Sequence, residues 1–147
     1  MVVPAPPTSG PVKRALVKKL RANSLIRAAA VGGIHEGIYA SKGPVRYPYI
    51  VFSLAYGPYE PSWGSTLFVP GFDIVVRGTN PVAVDSLDAL ITKELHDSTL
   101  LVTGLSTLTV SRTAELPLTP EKNAEGLRVF QNGGTYEIWL NKDRTPV

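Results

Sequence analysis

Three observations predict an α+β fold, a largely antiparallel (mixed) sheet with two main helices packed on one face. Tyr47 to Leu54 is the densest run of β-branched and aromatic residues; it carries Pro48 near its start and ends before Gly57-Pro58, the composition of a buried strand. Two other stretches, Val12 to Ala22 and Pro81 to His96, repeat apolar residues at helical spacing. The segments after each helix alternate apolar and polar residues, so the order is helix, strands, helix, strands.

Residues 1–11 hold Pro4, Pro6, Pro7 and Pro11, a density that favours an extended arm over packed structure. The folded domain is expected over 12–140, with a polar tail at 141–147. In the first helix Val12, Leu16 and Leu20 recur every fourth position, and Arg14, Lys18 and Arg21 lie on the opposite face, which reads as an ordinary solvated helix face or, more sharply, as a surface that meets acidic protein or a DNA backbone. Asn23-Ser24 ends that helix and caps a short second one, which Gly32-Gly33 breaks. A brief strand over Ile34 to Tyr39 follows, then the Tyr47 strand. The loop 57–64 contains Tyr59 and Trp63, large aromatics that need a partner, either their own sheet or another subunit.

Ser65 to Val69 and Phe72 to Arg77 read as extended, with a bend at Pro70-Gly71. Asn80 is placed as an N-cap with Pro81 at the first helical position, and Val84, Leu87, Leu90, Ile91 and Leu95 form the apolar face of that helix. Leu108, Val110 and Arg112 alternate with Thr107, Thr109 and Ser111 in the next strand. Leu127 to Gln131 and Thr135 to Leu140 are expected as a hairpin around Asn132-Gly133-Gly134.

A chain of 147 residues forms one domain that buries roughly 70% of its unfolded surface. It has no cysteine, which excludes a disulfide scaffold, a thiolate metal site and cysteine catalysis. No apolar run approaches the ~20 residues of a membrane span, and the start lacks the pattern of a signal peptide, so a soluble, intracellular product with no membrane partner is expected. A net charge of +3 is too diffuse to announce nucleic acid.

Chemistry is sparse. The two histidines, His35 and His96, each neighbour an acid, but adjacent strand residues point to opposite faces, and His96 at a helix end interacts with the dipole. Asp85 and Asp88, three apart on a helix, read as part of a solvated face. There is no Gly-x-Ser-x-Gly elbow, dinucleotide fingerprint or P-loop. No enzyme, metal or cofactor is expected.

Taken together, Val12-Lys-Arg-Ala-Leu-Val-Lys-Lys-Leu20, Ser24-Leu-Ile-Arg-Ala28, Gly32-Gly33-Ile34, Tyr47-Pro-Tyr-Ile-Val-Phe52, Phe72-Asp-Ile-Val-Val76 and Val82-Ala-Val-Asp-Ser-Leu87 resemble the tail-completion or tail-terminator proteins of long-tailed bacteriophages. The resemblance spans about Val12 to Leu140. It implies a structural virion protein, made in the host cytoplasm, whose copies form a ring, a hexamer, at the head-proximal end of the tail tube. That ring ends polymerisation of the tube protein and offers a joining surface to a head connector or neck protein, while genomic DNA passes through its channel without sequence-specific binding. No catalytic residues are implied. Tyr59, Trp63, Pro6 and Pro7 are then the candidates for the subunit interface, and Arg14, Lys18 and Arg21 for a surface facing the channel or a partner. The competing classes are another head-tail connector or neck protein and a small nucleic-acid-binding module, the latter disfavoured because no strand interleaves aromatic with basic residues.

Overall fold

The structure, a computed structural model, describes residues 9–39, 43–56, 67–100, 102, 105–116, 120–122 and 126–142. Helix α1 (Ser9–Ala22) starts ahead of the expected Val12, because Pro11 falls in the first turn, where a backbone N–H has no intrahelical acceptor to lose. Val12, Leu16 and Leu20 are all buried. Helix α2 (Ser24–Ala29) follows at once, since Asn23 Oδ1 accepts from the amides of Leu25 and Ile26 at 3.0 and 3.1 Å. The Asn23 amide donates to Glu94 Oε2 at 3.0 Å, tying this corner to the later helix.

Strand β1 (Ile34–Glu36) is shorter than expected, because Gly37 takes a positive φ of 74° and turns the chain. It pairs in parallel with β2 (Tyr49–Tyr56), in the register Ile34 with Ile50, and the connection between them is roughly the dozen residues that a parallel link needs. After β3 (Leu67–Phe68) comes β4 (Gly71–Gly78), antiparallel to β2. Helix α3 (Pro81–Leu95) begins as expected: Asn80 Oδ1 accepts from Val82 and Ala83 at 3.0 and 3.3 Å. Asn80→Ala is expected to cost about 1 kcal/mol in urea denaturation, with Asn80→Ser recovering most of it; equal midpoints for all three proteins would contradict the cap.

Strand β5 (Leu105–Glu115), the short β6 (Glu121–Lys122) and the long β7 (Arg128–Lys142) complete the chain. Glu137 pairs with Gly71 of β4 and with Ser111 of β5, and Leu140 with Phe68 of β3 and with Thr107 of β5. A residue has only two strand edges, so β3 prolongs β4 along one side of β7 and β5 occupies the other. The sheet is thus mixed and five strands wide, in the order β1, β2, β4 with β3, β7, β5, with β6 added on the start of β7.

The hairpin expected at Asn132-Gly133-Gly134 is absent: these residues lie in the middle of one continuous strand. Gly133 pairs with Val75, and Gly134 with Ile74 on one side and Glu115 on the other. The glycines serve close approach, since a Cβ on Gly133 would run into the Ile74 carbonyl and one on Gly134 would lie 2.8 Å from Arg112 Cζ.

The helix-facing side of the sheet, with Ile50, Phe52, Phe72, Ile74, Val76, Val110, Tyr136, Ile138 and Leu140, forms a single core with α1, α2 and α3. Leu100 and Val102 join it, and each fully buried aliphatic chain contributes about 2 kcal/mol. The expected apolar face of α3 is present, with Leu90 at its margin. Asp88, expected in solvent, is buried within that face.

Candidate interaction surface

Helix α1 presents the basic residues as the sequence predicts. Arg14, Lys18 and Arg21 are exposed, and their spacing of four and three residues sets them on one ridge about 10 Å long. None of the three pairs with a carboxylate among the described residues; the nearest acid on this side, Glu36, is held by Lys13 Nζ at 2.7 Å. The ridge borders a groove of about 380 Å³ that also contacts Val17 and Phe52. A second hollow, about 490 Å³, continues past Arg21 to Arg27, Ile34 and His35. The surface therefore combines apolar contacts with cations that no carboxylate among the described residues neutralises. Tyr59, Trp63, Pro6 and Pro7, the other expected interface residues, lie outside the described residues.

The histidines sit in unrelated places. His35 Nε2 donates to the Gly32 carbonyl at 2.6 Å, and its ring packs 4.3 Å from that of Tyr39. His96 caps α3, where its Nδ1 accepts the Arg112 amide at 3.1 Å. Among the described residues no group of three His, Asp or Glu side chains is placed to hold a metal ion.

Sequence reasoning missed a polar cluster beneath α3. Arg112 reaches from β5 across Gly134 and donates through Nη1 to Asp88 Oδ1 and Oδ2 at 3.0 and 3.1 Å, and to Thr92 Oγ1 at 2.6 Å. Its Nη2 donates to the Gly133 carbonyl at 2.7 Å, and the Tyr136 hydroxyl lies 3.2 Å from Nη1. Burial works against the guanidinium charge, but the Asp88 carboxylate and Tyr136 outweigh it and raise the Arg112 pKa. The cluster binds α3 to the sheet, with both Asp88 carboxylate oxygens taken up by Arg112. A signal was present: Arg112 is in phase with Val110, and Asp88 lies beside Leu87 and three residues from Ile91.

On the other side of the sheet, Thr135 Oγ1 donates to Asp73 Oδ1 at 2.6 Å. Burial, reinforced by a hydrogen bond to the Glu137 carboxylate, pushes the Tyr56 phenol up to about 12. Burial also raises Tyr49 and Tyr136, the latter against the pull of Thr92 and Arg112. Unfolded tyrosine ionises near pH 10, so as pH rises the unfolded chain loses its phenol protons first. The stability linked to these residues is complete below about pH 10 and is lost as pH rises through their raised values, which for Tyr56 means toward about 12. Unfolding followed by circular dichroism is expected in that window, together with the phenolate absorbance; phenols that all titrate at about 10 while the fold persists would contradict it.

No family model matches the chain, and no curated protein matches it. Among solved structures, a chain from the virion of a native gene transfer agent particle is similar in fold: the TM-score is 0.67 at 14% identity, over 90% of this chain and 96% of that one.

Proposed function

We propose that this chain is a structural virion protein, a ring subunit at the head-proximal end of a phage-type tail tube. The ring, a hexamer, ends tube polymerisation and presents the surface on which the head connector or neck protein seats. Genomic DNA passes through its channel without being read in sequence. The observation that carries this reading is the fold shared with a chain of a gene transfer agent virion, which extends over 96% of that chain. The α1 ridge supports it too, since a subunit that meets two neighbours and a third partner needs exposed patches, and no carboxylate among the described residues pairs with this one.

Particles assembled without this protein provide the test. Overlong tails are the expected result. Tails of normal length that fail to attach to heads would transfer the role to joining, and particles normal in both respects would overturn the virion reading. Trp63→Ala, chosen from loop composition, is expected to lower the ring population more than the melting temperature; an unchanged ring with a lowered melting temperature would contradict it.

A further inference from the structure

Charge is segregated along this chain. Six of the fifteen lysines and arginines precede Glu36, the first acidic residue, which makes residues 1–35 net +6; the remaining nine face twelve acids, which makes the rest net −3. The fold places the cations of α1 toward one margin of the sheet and two exposed carboxylates at the other. The α1 ridge of Arg14, Lys18 and Arg21 lies beside Glu36 of β1, the first edge strand. At the other margin, four strand spacings or roughly 19 Å away, β5 is the edge.

There the end of α3 covers part of the exposed ladder. The Asp97 amide donates to the Val110 carbonyl at 2.8 Å, and His96 accepts from the Arg112 amide, so the middle of the β5 edge is closed to strand addition. What this margin offers a partner is side chains. Asp97 is exposed, held out by a left-handed backbone at φ 58°, with its Oδ2 3.5 Å from His96 Nε2, and Glu115 is exposed where β5 ends, on the rim of a hollow shared with His96 and Arg112, whose guanidinium is taken up by Asp88.

We propose that the α1 ridge receives the Asp97 and Glu115 margin of a second copy of this chain. Such a contact joins two different patches head to tail, the type that closes into a ring, so it specifies the contact of the ring reading above and rests on it. The apolar surroundings favour a protein over a DNA backbone as occupant. Val17 and Phe52 line the groove beside the ridge, Ala30 and Ile34 the hollow beyond Arg21, and phosphates need no such neighbours.

Complementary charge variants of the full chain test this. The first is Arg14→Glu with Lys18→Glu. The second is Glu115→Lys with Asp97→Asn, since asparagine accepts left-handed backbone. Each variant alone is expected to self-associate at least about tenfold more weakly than wild type by analytical ultracentrifugation, because like charges then meet. Mixing the two 1:1 is expected to restore assembly, since every contact between unlike variants pairs opposite charges. Circular dichroism confirms that each variant folds. A mixture that stays dissociated while wild type assembles would overturn the pairing and leave the ring reading standing. So would a first variant that assembles normally but loses retention of duplex DNA, which would make the ridge a DNA face. Wild type that stays monomeric at every concentration, and is absent from particles, would overturn both.

Discussion

Asp88→Ala is expected to destabilise the folded chain by about 3–5 kcal/mol, a large share of the 5–15 kcal/mol typical of a domain. The Arg112 and Asp88 side chains keep only 12% and 10% of their surface, so removing the carboxylate strands a guanidinium in a space with little water. Thr92, Tyr136 and the Gly133 carbonyl stay as acceptors but supply no negative charge. Arg112→Met should cost a similar amount by stranding Asp88. The double variant Asp88→Leu with Arg112→Met should lie much nearer wild type, because replacing both partners removes the desolvation cost along with the attraction. Urea denaturation of the four proteins as a double-mutant cycle measures this. Single-variant losses below about 1 kcal/mol would mean that water reaches the pair and that it holds α3 no more firmly than a surface ion pair would.

Gly133→Ala is the second large effect, about 3 kcal/mol, from overpacking. The added methyl group would meet the Ile74 carbonyl and lie 2.9 Å from Val75 Cα, both backbone atoms of the paired strand, so the neighbour has no rotamer through which to yield. The strands β4 and β7 would have to separate at the centre of the sheet. Circular dichroism with thermal and urea denaturation detects the loss. In a hairpin turn the same position would accept asparagine with little change, so Gly133→Asn tests the geometry directly: a stable variant would support a turn, and a collapse in stability the continuous strand.

The elements were legible wherever the signal is local. Asn80 and Asn23 cap their helices as a side-chain acceptor next to unpaired amides must, and Val12, Leu16 and Leu20 mark a buried stripe through helical period alone. Alternation around Phe72, Ile74 and Val76 found the inner face of β4. The basic ridge was legible too, because exposure on a helix follows from the position of the apolar stripe. The cluster beneath α3 was not, although each member sat in a suspicious position. An acid and a base 24 residues apart reveal themselves as partners only when two elements are laid one on the other, and periodicity carries no distance between elements.

By itself, then, the sequence determined the helices with their caps, most of the strands, the inner face of β4, the α+β class and the run of cations on α1. These depend on interactions within a few residues or on the partition between apolar and polar surface. Only the tertiary structure decided that Asn132-Gly133-Gly134 continues a strand, that Asp88 is internal, and that the α1 ridge lies beside the β1 edge while Asp97 closes part of the β5 edge. The physical reason is that a glycine pair lacks side chains whether the chain turns or another group must pass close over it. The backbone of β4 and the guanidinium of Arg112 choose between the two, and neither is a neighbour until the chain has folded.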